Sequence, residues 1–71
     1  MTKRAHYLKE WRELRGLSLR EVEQMTGLSF ASVSRIERGE QPFGEDTLIL
    51  LAKAYRVEPW VLLSVNPLRE D

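Results

Sequence analysis

The chain has 71 residues, no cysteine and a single histidine, His6. That length leaves room for one domain, which buries only about 60% of its unfolded surface, and the lack of cysteine excludes disulfides and thiolate metal sites. Eleven Lys and Arg balance eleven Asp and Glu, so the net charge is zero, which argues against binding nucleic acid through bulk charge alone. The charge is unevenly spread, however. Residues 1–40 carry eight basic against six acidic side chains, and residues 41–71 carry three against five. A hydrophobic share of 42% is that of a globular protein. No apolar run approaches the roughly 18 residues that span a membrane. The start, MTKRAHYLKEW, lacks the apolar core of a signal peptide. A cytoplasmic location without a membrane partner is therefore expected.

In chain order the pattern predicts five helices and no strand. The first runs from Thr2 to Arg15, with Leu8, Trp11 and Leu14 or Arg15 on one face and Gly16 just past its end. The second covers 18–26. Ser18 and Glu21 are spaced as a capping box, Val22 and Met25 point inward, and Gly27 ends it. Ser29 caps a third helix over 29–38 only two residues further on, with Val33 and Ile36 inward and Gly39 as its stop. Gly44 is the N-cap of a fourth helix ending near Arg56. Its first turn carries Glu45 and Asp46, where the helix dipole favours negative charge. Phe43 and Leu48 are spaced as a hydrophobic staple, and Leu48, Leu51, Ala52 and Tyr55 form the buried face. Glu58-Pro59 opens a fifth helix to Ser64, carrying Trp60, Val61 and Leu63. The domain is expected over 1–65, followed by a short tail over 66–71.

Two short helices joined by so tight a turn, over residues 18–39, have the layout of a helix-turn-helix, which presents its second helix to the DNA major groove. The residues also follow a known pattern. Leu8, Trp11-Arg12, Gly16-Leu17-Ser18, Glu21-Val22, Gly27-Leu28-Ser29 and the run from Val33 to Gly39 carry it. So do Thr47-Leu48, Leu51 through Tyr55, Val57 and Leu62-Leu63. In these the chain resembles the phage-repressor and Cro-like helix-turn-helix family, also called the xenobiotic-response-element type. The resemblance implies an all-α, compact five-helix bundle of lambda-repressor-like type with helices two and three as the helix-turn-helix. Three features depart from the family: Glu23 replaces a usual alanine, Leu19 replaces a usual glutamine that touches DNA, and the usual proline after the recognition helix is displaced, with Pro42 and Phe43 in that loop.

Within that motif the outward side chains Phe30, Ala31, Ser34 and Arg35 are the candidate base readers. Arg35 can pair bidentately with guanine O6 and N7; outside the motif it would read as a solvated surface charge. Phe30 and Ala31 offer no hydrogen bond, only a surface for a thymine methyl, and Phe30 can equally pack against the domain. Arg20, Ser29, Ser32 and Arg38 are the candidate phosphate contacts. Ser29 also caps the helix, and the arginines compete with a reading as bare surface charge. Lys3 and Arg4 are weaker candidates of the same kind. The resemblance further implies that Arg12 and Glu37 pair with each other and brace helix one against helix three. Trp60, Leu63 and Val65, together with Leu68, form an apolar strip that serves either a two-fold dimer or closure of the core over helix one.

The expected function is a sequence-specific DNA-binding transcriptional regulator, a homodimer that represses by occupying an inverted-repeat operator in double-stranded DNA. The alternative is an antitoxin-like or adaptor protein whose main partner is another protein, which the zero net charge and Leu19 favour. No cofactor or metal is called for. An enzyme is not expected either, because no nucleophile–base pair, carboxylate pair or phosphate loop is apparent.

Overall fold

The computed structural model describes residues 6–68. Five helices follow in order: α1 (Leu8–Leu14), α2 (Leu19–Thr26), α3 (Phe30–Glu37), α4 (Glu45–Tyr55) and α5 (Pro59–Ser64). Among the described residues there is no strand. The predicted caps account for most of the boundaries. Ser18 accepts from the Glu21 N–H while Glu21 accepts from the Ser18 N–H, so both halves of the capping box form. Ser29 accepts from the Ser32 N–H at 3.1 Å. α3 ends in a Schellman turn, with Gly39 at φ 76° and the Glu40 N–H bonded to the Arg35 carbonyl at 2.9 Å. α4 ends in the same left-handed geometry, but on Arg56 at φ 62°. A side chain there costs on the order of 1 kcal/mol that glycine would not.

α1 begins six residues later than the predicted Thr2. His6 and Tyr7 are not helical, because their polar groups are committed elsewhere. The Tyr7 N–H donates to the Leu62 carbonyl at 2.8 Å, and His6 Nε2 donates to the Ile36 carbonyl at 3.0 Å. A carbonyl only accepts, so Nε2 carries the ring proton. Phe43 meets the His6 ring edge-on at 5.5 Å. Phe43 and Leu48, the predicted staple pair, both pack against the core from partly buried positions. Residues Thr2 to Ala5, with the Lys3 and Arg4 candidates, lie outside the described residues, as do 69–71.

The core is drawn from all five helices: Leu8, Trp11, Val22, Val33, Ile36, Leu51, Ala52, Tyr55 and Leu62. Burying each of the larger aliphatic side chains contributes about 1.5–3 kcal/mol. Two inward predictions are corrected. Leu14 is exposed, because α1 stops there and Arg15 turns instead to donate from Nε to the Tyr55 carbonyl at 2.6 Å. Met25 is exposed at the end of α2, beside Arg15, Leu17, Ala54 and Arg56. In α5 it is Leu62 that is buried, whereas Trp60 and Leu63 stand outside. That removes the reading of Trp60 as core closure over α1. The closure comes from Trp11, whose indole N–H donates to the Val65 carbonyl at 2.9 Å and ties α1 to the chain beyond α5. Asn66 then accepts from the Leu68 N–H in a short turn.

Candidate nucleic-acid interface

α2 and α3 are separated by only Gly27, Leu28 and Ser29. Gly27 adopts φ 82°, and its N–H donates to the Glu23 carbonyl at 2.8 Å. A Cβ at Gly27 would meet no neighbour within 4 Å, so the backbone angle alone selects glycine there. Thr26 Oγ1 donates to the Val22 carbonyl and accepts from the Leu28 N–H, which closes the turn. The Ser18 hydrogen bonds that open α2 also hold the Glu21 carboxyl below the ordinary carboxylate range. Leu19, the family's polar position, packs against the core instead and strengthens the α2 seat. Glu23 is half-buried where the family has alanine.

Phe30, Ala31, Ser34, Arg35 and Arg38 follow the three-to-four spacing of one face of α3, away from the buried Val33 and Ile36. Phe30 and Arg35 are exposed, and Ala31 and Ser34 are half-buried. Each arginine on this face already has a partner. Arg35 donates from Nε to Gln41 Oε1 at 3.0 Å and from Nη2 to Ser32 Oγ at 3.4 Å. Arg38 forks onto Glu40 through two bonds of 3.0 and 3.1 Å and also donates to Ser34 Oγ. Both members of that pair stay open to solvent. The Arg38 contact draws the Glu40 carboxyl below its ordinary range, and Glu40 in turn raises Arg38. Arg20 of α2 places its guanidinium carbon 4.3 Å from the centroid of the Phe30 ring. Glu40 and Gln41 were not singled out from the sequence. They sit in a loop, where no periodicity marks a partner.

Behind this face, Arg12 and Glu37 form a fork-to-fork pair. Nε meets Oε2 at 2.7 Å and Nη2 meets Oε1 at 3.1 Å. The third arm, Nη1, donates to the Leu17 carbonyl at 2.9 Å. Glu37 is 4% exposed and the Arg12 side chain 13%. The Glu37 hydrogen bond raises the Arg12 guanidinium pKa against the opposing effect of burial. Tyr55 lies beside this pair with its hydroxyl buried and without a hydrogen-bond partner. Burial first, and the Glu37 charge second, push that hydroxyl above its ordinary range, with Arg12 pulling the other way.

The third group of candidates is on α5 and the segment after it, which packs chiefly on α4 and α1. Trp60 is 61% exposed, and Leu63, Val65 and Leu68 are exposed with it. Ile49 and Leu50 of α4 are exposed too. The run from Leu48 to Leu51 is apolar on all sides of the helix, so a buried face at 48, 51, 52 and 55 leaves 49 and 50 outside. Among the described residues no helix is long and apolar enough to cross a membrane.

A family model described as helix-turn-helix matches residues 8–59. Among solved structures, the fold is similar to the restriction-modification controller protein C.AhdI from Aeromonas hydrophila. Identity is 32%, the alignment covers 79% of this chain and 85% of that one, and the TM-score is 0.76. It is also similar to the DNA-binding domain of the P22 C2 repressor, with 23% identity, 92% and 86% coverage and a TM-score of 0.80. The second likeness, at its low identity, speaks for the fold alone. Comparison with curated proteins finds no match.

Proposed function

Because the chain belongs to the Cro/C1-type helix-turn-helix family of DNA-binding transcriptional regulators, we propose that it represses transcription by occupying a promoter as a homodimer. The observation that carries this reading is the outward face of α3, which gathers Phe30, Ala31, Ser34, Arg35 and Arg38 on the exposed side of a capped, braced helix. Arg35 exchanges Gln41 for the O6 and N7 of a guanine in the major groove. Arg38 exchanges the Glu40 carboxylate for a phosphate, which presents the same kind of oxygen acceptors. Ser29, Ser32 and Arg20 add phosphate contacts around the rim. The Arg12–Glu37 pair orients α3 without touching DNA. The likeness to a restriction-modification controller supports a regulatory role for the reading helix.

Trp60, Leu63 and Val65 supply the two-fold interface in this reading. Such symmetry places two copies of α3 about 34–36 Å apart on one face of the duplex. Sedimentation at micromolar concentration checks the dimer: Trp60→Glu yields a folded monomer, and a wild-type chain that stays monomeric both free and on DNA overturns it. The same exposed apolar face, with a net charge of zero, favours a second reading in which the main partner is another protein. Selection of bound duplexes from a random DNA pool at about 100 mM salt, where loose phosphate binding is already screened, separates the two. Enrichment of an inverted repeat with half-sites about 10–11 bp apart supports the repressor. Failure to enrich any sequence supports the protein partner.

A further inference from the structure

The first position of α3 holds a large apolar side chain that the core does not use. Phe30 is neither in the core cluster nor among the residues packed against it, and it is 38% exposed. Its ring is nevertheless not loose, because the Arg20 guanidinium lies 4.3 Å from the centroid. A cation over an aromatic face is attracted by the ring quadrupole, and here the contact spans two helices, so it fixes the ring relative to both. Next to it Ala31 adds a methyl group and no polar atom. The hydroxyl of the preceding residue, Ser29, accepts from the Ser32 N–H. Phe30 and Ala31 therefore present an apolar surface at the first two positions of the reading helix, with a cation over the Phe30 ring. In the major groove, the apolar feature that a base edge offers is the C5-methyl group of thymine; cytosine presents the same group once it is methylated at C5.

Resting on the reading that α3 enters the major groove, we propose that Phe30 and Ala31 form a contact site for a 5-methylpyrimidine, and that Arg20 is the positioning residue that sets the Phe30 ring for it. A guanidinium lying over a ring still has N–H groups to offer a phosphate oxygen. Arg20 thus joins backbone contact to base selection. Leu19 beside it is turned into the core, so the start of α2 offers Arg20, not a side-chain amide, to this end of the groove.

The test uses the duplex enriched by the full chain, with each thymine replaced in turn by deoxyuridine, which lacks only the methyl group. One thymine in each half-site is expected to lose about fourfold in affinity on replacement, the value of one buried methylene-sized group. With cytosine at that position, 5-methylation restores the loss. Phe30→Ala erases the thymine-over-uracil ratio. Arg20→Gln shrinks that ratio while the melting temperature stays unchanged, and Arg20→Lys, which keeps a cation for the ring, retains part of it. If Arg20 served phosphate alone, Arg20→Gln would weaken both duplexes by one common factor and flatten the salt slope by about one, overturning the positioning role. Uracil tolerated at every thymine overturns the methyl contact while leaving DNA reading intact. A pool from which no duplex is enriched overturns the DNA-reading premise and this inference with it.

Discussion

Replacing Arg12 by alanine removes three hydrogen bonds at once, two to Glu37 and one to the Leu17 carbonyl. Glu37 is 4% exposed, so its carboxylate is left buried without the partner that offsets its desolvation. Breaking one side of such a pair costs about 3–5 kcal/mol. A chain of 71 residues has about 4–10 kcal/mol of stability in total. The variant therefore loses a large part of its margin and melts at least about 12 °C lower, at about 4–8 °C per kcal/mol for a domain of this size. Urea titration followed by circular dichroism measures the loss. DNA titration at a temperature where the variant is still folded should show near-normal affinity, since Arg12 touches no base in this scheme. The double variant Arg12→Met/Glu37→Leu, which replaces the pair with apolar side chains, recovers most of the stability. An Arg12→Ala protein that melts within about 2 °C of wild type would refute the reasoning.

Arg35→Ala leaves melting within about 0.5 kcal/mol of wild type, as expected for an exposed side chain, but removes about 1–3 kcal/mol of discrimination at one base pair of each half-site. Competition between operator and scrambled duplexes reads it, and an unchanged specificity ratio rules Arg35 out as a base reader. Glu40→Gln removes the carboxylate that competes with phosphate for Arg38, so affinity for non-specific duplex rises; an affinity equal to that of the wild type overturns the exchange. Tyr55→Phe deletes a buried hydroxyl that has no hydrogen-bond partner, so neutral-pH stability holds or improves, and a loss above about 1 kcal/mol in urea contradicts this. The same variant tests the alkaline limb. The Tyr55 hydroxyl is raised in the folded state above its ordinary 10.0, so its contribution is fully present below pH 10 and is lost as pH rises beyond it. The wild type should therefore lose stability above pH 10 more steeply than Tyr55→Phe.

The parts of this fold that local chemistry determines were readable from the chain. Ser18 and Ser29 cap α2 and α3, Pro59 opens α5, Gly27 ends α2 and Gly39 lies just past α3, because each of those backbone positions has few residue types that satisfy it. The inward side of α4 was readable because eleven residues make three full turns of pattern. α5 has only six residues, four of them apolar, so spacing cannot choose between Trp60, Leu62 and Leu63. The choice falls to Leu62 through packing on α4 and α1. Likewise the start of α1 depends on carbonyls at Leu62 and Ile36, far along the chain, that claim Tyr7 and His6. The outward residues of α3 could be named from their register, but not their partners, since Glu40 and Gln41 belong to a loop without a period.

The two tryptophans of this chain sit in opposite surroundings. Trp11 is 9% exposed, hydrogen-bonded through its indole to the Val65 carbonyl and covered by the Arg15 guanidinium at 5.4 Å, whereas Trp60 is 61% exposed. Their fluorescence therefore divides into a sheltered, blue component and a hydrated, red one. The first reports the moment when the chain beyond α5 lets go of α1. The second is open to soluble quenchers until something covers α5. With Trp60→Phe and Trp11→Phe variants, unfolding and association become two separate optical signals from one unlabelled protein.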